Sequence, residues 1–272
     1  NQQQKPLLVD FAQNGNLAVC GSVVTGKSIF MQTMLYSLFQ KYNPDQLQCY
    51  ILDFSSHLMT PFESAPNTGG IVYDNQEDRL GKFMHLLEKM MEERKKLFEG
   101  GNYAQYVRAY GQKIPAILVV IDNFGGFREK TRMKYDDIIL KYVREGTGYG
   151  MYLAVTAAGY GMAEIPGRIA DNIRTPICLE QSDRFRYMEI LRTTKLPVFP
   201  EAGIPGRGLA EVDGRMLEFQ TALSVQADDD FGRGRILEQF SKEKSAKWTG
   251  KRPLPIPEIP ENPILGQLEK ME

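Results

Sequence analysis

Cysteine is scarce in this chain of 272 residues, with three in all, at positions 20, 49 and 178. They are odd in number, widely spaced and without a CxxC pair, and each sits in or beside an apolar run (LAVC, CYIL, ICLE). That pattern excludes a disulfide framework and reads as buried, reduced thiols, for which the cytosol is the natural setting. Histidine is scarcer still, with two residues, and no His/Cys spacing suggests a metal centre. Excess charge of either sign is also missing: 33 Lys plus Arg against 34 Asp plus Glu give a formal net charge of −1. A dedicated nucleic-acid binder usually shows a basic excess, so no nucleic-acid partner is expected, although a local basic patch is not excluded. No apolar run approaches the ~18 residues that a membrane-spanning helix needs. The longest, Ala116 to Ile121, is strand-sized. No signal-peptide pattern opens the chain, and its start on Asn1 rather than Met reads as part of something longer.

What is present is an ordinary globular composition, 42% hydrophobic and 25% charged, which excludes a disordered tail or a collagen-like chain. Short apolar runs alternate with amphipathic segments. The runs are Leu17–Cys20, Cys49–Asp53, Ala116–Asp122, Met151–Thr156 and Ile177–Leu179. Each is mostly unbroken rather than alternating, as strands buried on both faces are. Between them the spacing predicts helices over Ser28–Gln40, Arg79–Phe98 and Tyr135–Glu145. The fold class is therefore α/β, a mostly parallel sheet flanked by helices. Nearer the C-terminus, Gly208–Val212 and Met216–Leu223 flank Asp213-Gly214, a strong hairpin signal. Asp228 or Asp229 is placed to cap a last helix near Phe231–Phe240. Five prolines between Pro253 and Pro263 forbid a helix or central strand and predict an extended tail. The expected organisation is one domain over 1–250 and a proline-rich tail over 251–272.

The most specific motif is Gly21 to Ser28, GSVVTGKS, which fits G-x-x-x-x-G-K-[ST] between a predicted strand and a predicted helix. Loop N–H groups and the helix N-terminus would surround phosphates, with Gly21, Ser22, Thr25 and Gly26 as the cradle. Lys27 would reach the β- and γ-phosphates of ATP, and the Ser28 hydroxyl would ligate Mg²⁺. Val23 and Val24 fill the middle of the loop, where a small residue is usual. A β-branched residue tolerates positive φ badly, so a loop that needs a left-handed residue at Val24 is expected to miss its usual shape. Two bulky side chains there would also obstruct phosphate.

A second motif, ILVVID from Ile117 to Asp122 followed by Asn123, ends an apolar strand in the carboxylate expected beside Mg²⁺. A Glu general base commonly follows such an Asp. Asn123 cannot accept a proton and could only orient a water. Thr156, at the end of another strand, is the nearest polar group for a γ-phosphate sensor.

These motifs, with YILDF (Tyr50 to Phe54) and MEERKKLF (Met91 to Phe98), resemble the FtsK/SpoIIIE class of RecA-like ATPases. Within it the likeness is to a C-terminal ATPase module, by its last two motif positions the final one, of type VII secretion ATPases of the EssC/EccC family. The opening PLLVDFAQNGNLAVCGS, NIRTPI (Asn172 to Ile177), PGRG (Pro205 to Gly208) and EFQ (Glu218 to Gln220) carry it, over roughly residues 6 to 224. The resemblance implies a RecA-like P-loop NTPase fold and a cytoplasmic portion of a bacterial protein anchored in the membrane through a distant N-terminal part. It implies as partners the neighbouring ATPase modules and exported proteins of the WXG-motif family or other substrates. Gly21, Gly26, Lys27, Ser28 and Asp122 match the family's motif. The mid-loop Gly is Val24 here, the catalytic Glu is Asn123, and the sensor-strand Gln is Ala157. The expectation is therefore a degenerate module with weak or no ATP hydrolysis, acting in substrate recognition or in regulation of export. The alternatives are an active ATPase completed by a neighbouring module, and a DNA translocase of the same class.

Among other candidates, His85 reads as solvent-facing and Ser55-Ser56-His57 as loop chemistry. Asp53 reads as a turn residue at a strand end, Arg207 as an exposed residue near a hairpin, and Lys242–Lys247 as a solvated helix end.

Overall fold

The unbroken apolar runs become neighbouring parallel strands. In the computed structural model, residues 6–258 are described. A short helix α1 (Phe11–Asn14) leads into β1 (Asn16–Cys20), α2 (Lys27–Lys41), β2 (Leu47–Asp53), β3 (Thr68–Tyr73), α3 (Glu77–Phe98), α4 (Tyr103–Tyr110) and β4 (Ala116–Asp122). There follow α5 (Phe124–Lys130), α6 (Asp136–Glu145), β5 (Met151–Ala157), α7 (Gly167–Ala170), β6 (Ile173–Leu179) and α8 (Arg184–Leu191). The hairpin β7 (Arg207–Val212) and β8 (Arg215–Gln220) precedes α9 (Asp230–Lys247). The strands form one sheet in the order β3-β2-β4-β5-β1-β6-β7-β8. The pairs from β3 through β6 are parallel, and β7 and β8 add antiparallel at one edge.

Helices cover both faces, because successive strand residues point to opposite sides. Ala18, Tyr50, Val119 and Ile121 face Phe83 and Leu87 of α3 and Ile139 and Tyr142 of α6. Leu17, Val19, Ile51 and Val120 face Met31, Leu35 and Phe39 of α2 and Leu237 of α9. Each Val, Leu, Ile, Phe or Met among them contributes about 1.5–3 kcal/mol through removal from water. The expected hairpin forms, with Asp213 and Gly214 at φ 49° and 73° as a tight right-twisting turn requires. Asp229 caps α9 through a bond from the Gly232 N–H, 2.6 Å.

Besides short helices not expected from the spacing, such as α4 and α5, three features differ from the sequence expectation. The strand expected from Ile177 begins at Ile173 and contains Pro176. It is tolerated because β7 pairs only with Ile177–Leu179, so the first half of β6 is an edge on that side. The strand β3 was not expected at all. The described part of the tail is extended but fastened: the Tyr50 hydroxyl donates to the Leu254 carbonyl (2.8 Å), Ile256 is buried against Gly70, and Arg79 pairs with Glu258. Positions 259–272 lie outside the described residues. Among the described residues no helix is long and apolar enough to cross a membrane.

Candidate nucleotide site

The C-terminal ends of the parallel strands gather the motif residues, as open α/β sheets do at their ligand crevices. β1 ends at Cys20 and hands the chain to Gly21 and the loop, and α2 opens at Lys27. Gly21 is required by space: a Cβ there would lie 2.5 Å from the Thr25 hydroxyl and 2.9 Å from Leu179 Cβ. Val24 adopts φ 65°, so the loop does take the left-handed residue that its β-branch was expected to forbid. The strain costs of order 1–2 kcal/mol, which the surrounding loop contacts sustain. Nor do the valines fill the loop. Both side chains project outward and are 84% exposed.

The Lys27 ammonium lies inside the loop, donating to the carbonyls of Gly21 and Ser22, both at 2.7 Å. Burial lowers its pKa, and the nearby charge of Asp122 works against that shift. Thr25 ties the loop to itself through Ser22 (2.9 Å). It is also the loop's link outward, for the Gly206 N–H donates to the Thr25 carbonyl at 2.8 Å. Gly206 is in turn held by Thr221 at the end of β8.

Asp122, at the end of β4, is 1% exposed. Burial pushes its carboxyl up, while the hydroxyls of Thr156 and Ser28 draw it back down. The Thr156 hydroxyl donates to Asp122 Oδ1 (2.5 Å) and accepts from the Asn123 N–H (2.7 Å). Thr156 thus acts on the Asp122 side of the site. The other carboxylate oxygen, Oδ2, is buried with no hydrogen-bond partner among the described residues. Asn123 sits at φ 66° as the cap of α5. Its Oδ1 accepts from the Gly126 N–H (3.1 Å) and its Nδ2 donates to the Phe54 carbonyl (2.9 Å), so both ends of the amide are engaged within the fold.

Asp53 takes three backbone N–H bonds, from Ser55, His57 and Met59, and shapes the turn after β2. His57 is exposed and rests on the Tyr73 ring, and His85 faces solvent on α3. Arg207 bonds to Gln220 (3.0 Å) and Glu218 (3.2 Å) on its own hairpin. Sequence reasoning gave no role to Gly206, or to Glu164, whose carboxylate accepts from the Ala158 N–H (3.0 Å) one residue beyond β5. No spacing rule could have found either, since both contacts are made by tertiary folding.

The site suits Mg²⁺ and a nucleotide phosphate. A Ser hydroxyl and a carboxylate oxygen without a partner are the hard oxygen donors that Mg²⁺ takes. The glycine-walled loop at the start of the fifteen-residue helix α2 is the place where a helix favours anions. Ser28 and Asp122 would hold the metal, and Gly21, Ser22, Thr25, Gly26 and Lys27 the phosphates.

The model of the FtsK/SpoIIIE family matches residues 1–183. The ESX secretion system protein EccC of Geobacillus thermodenitrificans is 29% identical over 266 residues, covering 95% of this chain and 17% of that protein. The chain thus spans about a sixth of that relative's length. A solved structure of EssC, ATPases 2 and 3, from the same organism superposes with a TM-score of 0.80 at 26% identity, covering 96% of this chain and 49% of that one. The fold also matches Thermomonospora curvata EccC, ATPases 2 and 3, in complex with a signal sequence peptide (TM-score 0.81, 22% identity, 97% and 48% covered).

Proposed function

The chain belongs to the FtsK/SpoIIIE family, and from it we propose one ATPase module of a longer type VII secretion motor, binding Mg²⁺-ATP at Gly21–Ser28 and hydrolysing it weakly. Its part in export is the recognition of a secreted substrate or the regulation of the motor. The observation that carries the nucleotide reading is the pairing of a loop closed around Lys27 with a buried, partnerless Asp122 Oδ2. Coverage of 49% of a structure holding two ATPases supports a single module. The secretion setting rests on EccC and EssC relatives, and the substrate role on the related EccC seen with a signal sequence peptide. Neighbouring modules and a membrane anchor in another part of the polypeptide complete the reading, with the module itself on the cytoplasmic side. Net charge −1 speaks against a DNA translocase.

In this mechanism Lys27 releases the Gly21 and Ser22 carbonyls and turns its charge to the β- and γ-phosphate oxygens. Ser28 and Asp122 would hold the metal, with Thr156 fixing the Asp122 rotamer by occupying Oδ1. Bound Mg²⁺ would neutralise charge on the phosphates. Asn123, engaged as a cap, supplies no base of its own to the attacking water, and slow turnover is the expected consequence. Calorimetric titration of Mg²⁺-ATP into the protein, with Lys27→Ala as control, tests the reading. Saturable binding lost in the variant is expected. No heat and no thermal shift at millimolar ATP would mean that the nucleotide site is vestigial.

A further inference from the structure

We propose that Glu164 is the proton acceptor for the water that attacks the γ-phosphate, supplying the carboxylate that Asn123 lacks. The assignment rests on the nucleotide reading above. Four carboxylates lie around the site: Asp53, Asp122, Glu164 and Glu180, the last just beyond β6, across β1 from Asp122, where it accepts from the Gly203 N–H (2.9 Å). Asp53 is saturated by the N–H groups of its own turn, and Asp122 is bound to Thr156 and faces Ser28. Glu164 is different. Its Oε2 accepts one bond, from Ala158, and Oε1 takes no hydrogen bond from the described residues. The residue is half-buried, so water can reach it.

Its position is built, not incidental. The carboxylate lies over Gly125, in the first turn of α5 and two residues from Asn123. A Cβ at Gly125 would stand 2.8 Å from Oε2 and 3.0 Å from Oε1, so the glycine lets the carboxylate settle there, and a larger residue would displace that flexible side-chain end. The loop that carries Glu164 is pinned by Arg128, whose guanidinium donates to the carbonyls of Met162 and Glu164. Arg128 is itself clamped by the buried Asp136 (2.9 Å). The backbone under Glu164 is therefore fixed before substrate arrives, and a fixed base loses little to reorganisation. Ala158, its anchor, follows Ala157, whose carbonyl accepts from the Gly21 N–H (3.1 Å) at the start of the phosphate loop. The charge of Glu164 also acts on Lys27 and Cys20, opposing the fall that burial causes at Lys27 and adding to the rise at Cys20.

The step balances without further reagents. The water oxygen bonds to the γ-phosphorus while the bond from that phosphorus to the bridging oxygen breaks, its electron pair leaving with ADP. The water proton passes to Glu164, which returns it to solvent once inorganic phosphate has formed.

The test compares wild type, Glu164→Gln and the double variant Glu164→Gln/Asn123→Glu, measuring Mg²⁺-ATP binding by calorimetry and single-turnover hydrolysis with protein in excess. The glutamine keeps an oxygen for the Ala158 N–H, so the fold is expected to survive, as circular dichroism would verify. Wild type is expected to bind and hydrolyse slowly. Glu164→Gln is expected to bind equally well and hydrolyse about a hundredfold more slowly, the usual worth of a positioned base. The double variant, with a carboxylate restored beside Asp122, is expected to recover. Glu164→Asp, which withdraws the carboxylate by one methylene, gives a second reading if the glutamine variant loses its fold, and its slowing with binding intact supports the role. Equal hydrolysis in wild type and variant, or binding without any hydrolysis in wild type, would overturn the role of Glu164 and leave the nucleotide reading standing. Absence of binding in wild type would overturn both.

Discussion

The Thr156 hydroxyl spans the ends of two adjacent strands, giving its proton to Asp122 Oδ1 at 2.5 Å and receiving the Asn123 N–H at 2.7 Å. One side-chain oxygen therefore sets the rotamer of the Asp122 carboxylate and the backbone of the residue after it. Thr156→Val keeps the shape and removes both bonds, leaving buried groups unpaired at a cost of about 1–3 kcal/mol. Urea unfolding should show that loss, while Thr156→Ser should recover most of it.

Val24 holds a left-handed backbone that glycine adopts freely. Val24→Gly removes the strain but enlarges the unfolded ensemble, so the net change in stability is expected to stay within about 1 kcal/mol. Val23 carries no such strain, and Val23→Gly should only destabilise. Thermal melts of the two variants, side by side, separate these outcomes.

Gly125 reserves the space that the Glu164 carboxylate occupies. Gly125→Ala should drive that carboxylate away and lower hydrolysis as Glu164→Gln does, with ATP binding retained. Unchanged single-turnover rates would show that the close approach has no catalytic consequence.

Ile256 fastens the tail to the face that carries Tyr50 and Phe83 and is 2% exposed. Ile256→Ala is expected to cost about 2 kcal/mol, the low end for a buried aliphatic truncation, because a tail collapses around a cavity more easily than a core does. Equilibrium unfolding measures it. Exposed Leu254 is the internal control, and Leu254→Ala should change stability little.

Cys20, Cys49 and Cys178 are free and buried, and burial pushes the Cys20 thiol up to about 12. Thiol reagents at pH 8 should modify none of them in the native protein and all three in denaturant. Fast native labelling would mean that the strand ends open.

Most of the sheet was legible in the sequence because its central strands are buried on both faces and read as unbroken apolar runs. The strand β3 was not, since Thr68-Gly69-Gly70 offers no apolar pattern. The structure gives the reason for the glycine: a Cβ at Gly69 would lie 2.3 Å from the Tyr50 ring. Helix α4 is only eight residues long and buries none of its side chains fully, and α5 opens Phe-Gly-Gly, so neither shows a periodic pattern long enough to read. In the site, Gly21 to Ser28 and Asp122 could be read because their chemistry is encoded in local spacing. The left-handed Val24 runs against its own intrinsic preference and is held by the loop around it. The capping bonds of Asn123 and the approach of Glu164 to Gly125 join separate segments, and no local pattern encodes them.

The bond from Gly206 to Thr25 makes the approach to the β7–β8 hairpin and the phosphate loop parts of one thermodynamic system. Linkage runs in both directions. A protein docking on the hairpin side that prefers this bond intact favours whichever nucleotide state also keeps it, and each ligand then alters the affinity of the other by the same factor. On the proposed reading, such coupling would let an exported substrate and a nucleotide report on one another through a single amide.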